Sequence, residues 1–299
     1  MRKILAILTS DWHLSLKPPI ARSIESDWLE TQAKSLKAIK ELQTKYNVPV
    51  IIAGDITHHW DEKAELVNWI IKNAGKNWWA IRGQHDTPYH QSRDIHKSVY
   101  QTLIHSKVLN PILSPSRPIK FMADFYGFGW EEPFIRPHYT ERLNVAIVHR
   151  YVWIKNKSFP GAPNKNLAHT LMSELKDYQV IVTGDNHLPF DVKTDKQILF
   201  NCGSLIPRNI DQKEYIPSVG LLQEDGDIKR EYLNIPGKWL NSKRIKTESK
   251  KDLSGLLREL KKIDVKAMNF TDILEQRIKG SKISKDARKT LLEILEEVK

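Results

Sequence analysis

A single cysteine, Cys202, stands in 299 residues. One thiol excludes an intramolecular disulfide framework and any zinc site built from several cysteines, and it fits a reducing compartment. Cys202 itself reads as a packed small residue. Long apolar runs are missing as well. No stretch approaches the roughly 20 apolar residues of a membrane span. Met1-Arg2-Lys3 opens an apolar stretch of only about five residues before Asp11, too short for a secretory signal. A soluble, cytoplasmic protein with no membrane partner is expected. Acidic residues are in deficit too: 36 Asp and Glu face 47 Lys and Arg, a formal net charge of +11. No internal repeat or low-complexity segment is apparent.

The positive surplus is uneven. From Lys238 to Lys299, 17 Lys or Arg stand against 10 Asp or Glu, a surplus of seven. A basic balance attracts polyanions through counterion release. Lysines on the outer face of a helix can equally be merely solvated.

What is present is more specific. Five short stretches end in residues able to hold a metal: Asp11-Trp12-His13, Gly54-Asp55, Gly83-Gln84-His85-Asp86, His149, and Gly184-Asp185-Asn186-His187. Four follow apolar runs that read as strands, at Ile4–Leu8, Val50–Ala53, Val145–Val148 and Val180–Val182. Side chains at the ends of neighbouring strands converge, and the crevice beyond those ends is where open α/β sheets bind ligands. Each piece alone is weak. Gly-Asp is an ordinary turn dipeptide, and Asp225-Gly226-Asp227 reads as a plain hairpin connection. The recurrence points to two metals and a phosphate ester.

The constellation resembles the calcineurin-like metallophosphoesterases, whose pattern runs D-x-H, G-D, G-N-H-D/E, H, G-H-x-H. The resemblance covers about residues 3–206. Within the family the chain looks most like SbcD-type exonuclease subunits, particularly short phage versions. The cues are Asp11-Trp12-His13-Leu14-Ser15, Pro19 through Arg22 with Asp27, Gly54-Asp55-Ile56-Thr57-His58, and Asn201-Cys202-Gly203-Ser204-Leu205. This likeness implies two sites sharing Asp55. One would hold Asp11, His13, Asp55 and His187; the other would hold Asp55, Gln84, His149 and Asp185. Oxygen and imidazole donors without thiolate suit Mn²⁺, Mg²⁺, Fe or Zn²⁺. Two such cations clamp the attacking and leaving oxygens of an in-line displacement and activate a bridging water. The family further implies that His85 protonates or stabilises the leaving oxygen, with Asp86 orienting its ring.

Two positions depart from the family pattern. Gln84 replaces Asn, and Asp185 replaces His. A longer amide and an anionic oxygen make the second site harder, which suits Mn²⁺ or Mg²⁺ over Zn²⁺. A weakened second site is the other reading. His58 and Arg22 are candidate phosphate contacts, Arg22 by a bidentate fork. Trp12 could wall the site, stack a base or pack as core. His59, His90, His96, His105, His138 and His169 read as surface residues.

Hydrophobic periodicity predicts helices at 28–46, capped by Ser26-Asp27, and at 62–73, 93–106 and 166–176. Strands are expected at 78–82, 121–130 and 138–148, and short strands with turns from 198 to 235. This is the α/β pattern of the family's two-sheet sandwich, flanked by helices. Residues 1–237 would form the nuclease domain and 238–299 a basic helical appendage. Its helices at 250–263, 270–278 and 284–298 carry apolar stripes such as Leu253, Leu256, Leu257 and Leu260. These fold back on the core or dock another protein. The resemblance implies a metal-dependent DNA phosphodiesterase, partnered by DNA and an SbcC-like SMC-type ATPase, with a homodimer as a further assembly. A small-molecule phosphatase, a cyclic-nucleotide phosphodiesterase, and a scaffold subunit with a degenerate second site are the alternatives.

Overall fold

Near-continuous apolar strands need cover on both faces, and this chain supplies it in four layers. The computed structural model describes residues 2–113, 119–120, 123–138, 141–155, 164–212, 214–233 and 235. In chain order the elements are β1 (Ile4–Thr9), α1 (Trp28–Tyr46), β2 (Val50–Ile52), α2 (Ala64–Asn73), β3 (Trp78–Ala80), α3 (Val99–His105) and β4 (Asn110–Pro111). There follow β5 (Ile119–Lys120), β6 (Ala123–Phe128), β7 (Leu143–His149), α4 (Ala168–Glu174), β8 (Val180–Gly184), β9 (Phe190–Lys193), β10 (Ile198–Asn201), β11 (Ser218–Gln223) and β12 (Ile228–Tyr232).

One sheet has the order β12-β11-β1-β2-β3-β4, the other β5-β6-β7-β8-β10-β9. β1, β2 and β3 run parallel to one another, as do β6, β7, β8 and β10. Antiparallel β11 and β12 close one edge of the first sheet. Asp225-Gly226-Asp227 joins them, Gly226 taking φ +84 at the turn.

Period-two alternation sorts the strand residues. Leu8, Ile51 and Ala53 meet Phe125, Val145, Ile147, Val180 and Val182 between the sheets. Ile7, Val50 and Ile52 point the other way, onto Leu36 and Ile39 of α1 and Leu66 and Ile70 of α2. Ala146, Val148 and Ile181 pack under Leu171 and Met172 of α4. Each fully buried Leu or Ile here contributes about 2 kcal/mol by burial.

α1 starts where the Asp27 carboxylate accepts from Glu30 N at 2.8 Å and stops at Asn47 in the left-handed region, φ 53. The expected helix over 93–106 is two elements. A 3₁₀ turn at Ser92–Lys97 gives way at Ser98, whose hydroxyl accepts from Gln101 N and starts α3 afresh. β9 has no counterpart in the sequence reading. It is a partly exposed edge strand. The tail helices lie outside the described residues. Among the described residues, no helix is long and apolar enough to cross a membrane.

Candidate metal centre

Parallel strands deliver their C-terminal ends to one edge, and all five sequence stretches sit there. Asp11 and His13 follow β1, Asp55 follows β2, and Gln84 and His85 follow β3. His149 ends β7; Asp185 and His187 follow β8. The backbone is forced at these places. Asp11, His13, Asp55 and Asp185 have φ of 52, 46, 55 and 77. Left-handed conformation at such residues costs about 1 kcal/mol or more each and gathers where function dictates geometry. Two glycines clear the space. A Cβ on Gly54, itself at φ +89, would lie 2.3 Å from His149 Nδ1, and one on Gly83 would lie 2.0 Å from Asp55 Oδ1.

Asp55 stands at the centre. Its Oδ2 lies 3.5 Å from His13 Nε2 and its Oδ1 3.4 Å from His149 Nε2. One carboxylate therefore offers a different oxygen to each side. His13 Nε2 approaches His187 Nε2 to 3.0 Å. Asp11, His13 and His187 bring ligand atoms within 4.8 Å of one another, and so do Asp11, Asp55 and His149. Asp11 thus reaches both groups, where the resemblance assigned it to one. Asp185 N donates to Asp11 Oδ1 at 2.9 Å, and Gln84 Nε2 donates to Asp185 Oδ1 at 2.8 Å. His149 Nδ1 donates to the Ala53 carbonyl at 2.7 Å, so Nε2 is the atom left to face Asp55 and a cation.

Asp11 Oδ2, Asp55 Oδ2, His13 Nδ1 and His149 Nε2 are buried with no hydrogen-bond partner. Orphaned buried polar atoms are costly. Three of the four, two carboxylate oxygens and an imidazole nitrogen, lie within one small cluster. Divalent cations would satisfy them, and this donor set without sulfur fits such ions.

The electrostatics agree. Burial pushes Asp11 up to about 6, His149 opposing and Asp55 adding repulsion. Asp185 rises to about 6 for the same leading reason. Burial would raise Asp55 also, but the charge of His149 and then of His13 and His85 holds it below the usual carboxylate range. Burial lowers His13 and His187, which favours the neutral imidazole a metal needs. Burial would lower His149, yet Asp55, Asp185 and Asp11 raise it well above the ordinary histidine value. That proton is one a cation must displace.

The calcineurin-like phosphoesterase superfamily domain matches residues 4–226. The chain belongs to this superfamily. No curated protein matches the sequence. Solved structures similar to it include an archaeal phosphodiesterase at 15% identity and TM-score 0.41, covering 76% of this chain and 99% of the other. Yfce, a phosphoesterase from E. coli, is similar at 17% and 0.35, covering 77% and 99%. A putative 5'-nucleotidase from Staphylococcus aureus is similar at 12% and 0.46, covering 81% of this chain and 56% of the other. None of the three bears on the substrate.

Around this calcineurin-like centre the remaining candidates divide. His85 is at the site, its ring 4.7 Å from that of His13. Its Nδ1 lies 2.7 Å from the His58 carbonyl, and its backbone N donates to Asp55 Oδ1. The expected role of Asp86 is corrected. Its carboxylate accepts from the backbone N–H groups of Ile56, Thr57 and Gly83, so it ties two ligand loops together. The carbonyl of His58, not Asp86, orients the His85 ring. His58 stacks on His85 at 5.2 Å, and burial, then Arg208, lowers it to about 3.

Arg22 is not presented to substrate. Only 1% exposed, it pairs with Glu25, donates to the Pro207 carbonyl and lies over Trp28. Trp12 is core, edge-on to Trp78 with its Nε1 on Thr9. His59, His90, His96, His105, His138 and His169 are all exposed.

Sequence reasoning missed several positioning residues. Buried Arg208 donates to the His13 carbonyl at 2.8 Å, and burial pulls its pKa down to about 10. Buried Gln32 of α1 bonds both backbone groups of Ser15 and so holds the loop after His13. The segment from Asn201 to Leu205 grips the rest. Asn201 donates to the Asn186 carbonyl, Ser204 N to the His187 carbonyl, and Leu205 N to the Asp11 carbonyl. Asn201 and Ser204 belong to a segment the sequence flagged, whereas Gln32 and Arg208 had no pattern to reveal them.

Proposed function

We propose that this protein is a metal-dependent phosphodiesterase acting on DNA, the nuclease subunit of an SbcCD-like recombination or repair complex. The observation that carries the chemistry is Asp55, faced by His13 on one oxygen and His149 on the other, amid buried atoms without partners. Two divalent cations, Mn²⁺ before Mg²⁺, would be held by Asp11, His13, Asp55, Gln84, His149, Asp185 and His187, and would supply Lewis acidity and an activated water.

The chain's own groups do the rest. His85, fixed through Nδ1 on the His58 carbonyl, offers Nε2 to the leaving oxygen. Asp86 keeps the loops of Asp55 and His85 in register through backbone donors on both. The DNA reading is supported by the net charge of +11. An SMC-type ATPase partner rests on the subfamily resemblance and on the apolar stripes of the tail.

The assay that tests this uses linear duplex, single-stranded DNA and bis-p-nitrophenyl phosphate, each with Mn²⁺, Mg²⁺ or EDTA. Mn²⁺-stimulated cleavage of DNA is expected, lost in His85→Ala while metal binding stays nearly intact. Wild-type rates in a folded, metal-loaded His85→Ala sink the leaving-group role. Hydrolysis confined to phosphomonoesters or cyclic nucleotides replaces DNA by a small-molecule substrate. Removal of residues 250–299 should abolish co-purification with the ATPase while sparing the small diester; retained binding places the docking surface elsewhere.

One observation favours a second reading. The Gln84–Asp185 hydrogen bond closes two second-site donors on each other. A DNA-binding scaffold with one working metal site would show a single metal by calorimetry.

A further inference from the structure

The loops that carry the metal ligands do not end at the metals. Beyond Asp55 the chain continues through His58 and His59 to Trp60, and beyond His85 it continues through Pro88 to Tyr89 and His90. The two loops meet again at their far ends, where the Trp60 and Tyr89 rings lie 5.1 Å apart at 55°. Tyr89 is 64% exposed, so little packing holds its ring there. It lies four positions beyond His85, a reach of at most about 14 Å.

The backbone is bent to make this display. Tyr89 and His90 are consecutive left-handed residues, φ 50 and 56. The turn is closed by His90 N on Thr87 O and Gln91 N on Pro88 O. Two adjacent non-glycine residues in this region are strained, and such strain persists where a function requires the geometry. Two further series of rings run outward from the metal ligands. On one side His13 meets His85 at 4.7 Å, His85 stacks on His58 at 5.2 Å, and His58 meets exposed His59 at 4.5 Å. On the other side Trp130 stands 6.5 Å from His149 and 6.3 Å from exposed His90. The indole N–H of Trp130 is buried without a hydrogen-bond partner.

We propose that Trp60, Tyr89, His90 and Trp130 form a stacking platform for unpaired nucleobases flanking the scissile phosphate. The inference rests on the DNA reading above and adds that the substrate is taken as single-stranded or frayed. Flat rings with polar edges suit bases, since every base has a π-face to offer and its own polar rim. An apolar side chain of a protein partner would gain nothing from the histidines. Arg93, three residues past His90 and 81% exposed despite a 3.9 Å contact with Asp94, would supply a cation for the adjoining backbone.

Tyr89 is exposed and outside the metal centre, so Tyr89→Ala should fold. Fluorescence polarisation of labelled single strands, blunt duplex and an abasic strand of equal length, in EDTA, reads binding by the full chain. Hydrolysis of bis-p-nitrophenyl phosphate in Mn²⁺ reads the metal centre. Single-strand affinity should fall about tenfold in Tyr89→Ala and return in Tyr89→Phe. The abasic strand should bind wild type and variant alike, and diester hydrolysis should not change. Unchanged single-strand binding in Tyr89→Ala, with DNA still cut by wild type, overturns the platform and leaves the nuclease reading standing. Loss in Tyr89→Phe equal to that in Tyr89→Ala assigns the effect to the hydroxyl and also overturns it. If wild type hydrolyses the small diester yet neither binds nor cuts DNA, both readings fall.

Discussion

The two halves of the centre are built from different chemistry around the same Asp55. On one side His13 and His187 bring ring nitrogens to 3.0 Å, both kept neutral by burial. On the other, an amide and a carboxylate, Gln84 and Asp185, are already bonded at 2.8 Å beside His149, which holds its proton. In the first half one neutral imidazole donates to the other, and a change of tautomer alone, with no proton lost, frees both nitrogens for a cation. The second is satisfied in part by its own members, so a cation there must first compete with a hydrogen bond and a proton. The difference teaches that the halves should load unequally, the imidazole side first.

The largest break in that comparison is Asp55→Asn, which touches both halves at once. Removing the shared charge should abolish cooperation between the metals and cut kcat/KM on a small diester by more than about a hundredfold. Calorimetry should then show both binding steps weakened; one step left at wild-type strength would mean that Asp55 is not shared. A smaller change is expected from Asp185→Ala, which should weaken the second step by about ten- to a hundredfold and spare the first. Gln84→Asn with Asp185→His should move the preference of that step towards Zn²⁺. A single binding step in wild type, indifferent to Asp185→Ala, would remove the second site altogether.

The smallest effect is one of pH. Burial raises Asp11 and Asp185 to about 6 in the fold, from an ordinary carboxylate value of 3.8. Between those values the folded state holds more protons than the unfolded one, so the metal-free protein loses stability as pH rises from about 4 to about 6. Cations need the ionised carboxylates. Stabilisation by Mn²⁺ should therefore be nearly absent at about pH 5, appear through about 6, and keep growing as His149 gives up its proton. Melting temperatures with and without Mn²⁺ across that range measure it. A gain from Mn²⁺ that is constant with pH would place the metal away from these groups.

How much of this was legible depended on whether a residue acts through a pattern or through a place. The strands before Asp11, Asp55, His149 and Asp185 announced themselves by apolar runs, and α1 by its period and its Asp27 cap. Asp86 was visible as a motif member, but its bonds to Ile56, Thr57 and Gly83 exist only once two loops meet. Arg22 failed for the complementary reason. A short turn with Glu25 at i+3 buries the guanidinium locally, and no motif encodes that. The break at Ser98 was hidden because 93–106 keeps its helical period across a capping serine. Trp60 and Tyr89 lie 29 positions apart and look unrelated until β2 and β3 are laid side by side.

The inter-sheet origin of the ligands has a mechanical side. Asp11, His13, Asp55 and Gln84 come from one sheet, and His149, Asp185 and His187 from the other. The two clusters that include a carboxylate, Asp11-His13-His187 and Asp11-Asp55-His149, each draw on both. A cation bound here would thus be a cross-link between two sheets otherwise joined at this edge by contacts such as the Ser10–Ser204 bridge and the hydrogen bonds around it. A metal's binding energy would be shared between holding the ligand loops in place and resisting separation of the layers. The edge proposed for the chemistry would then also be a fastening between the two layers, and a chelator should lower the melting temperature of the loaded protein.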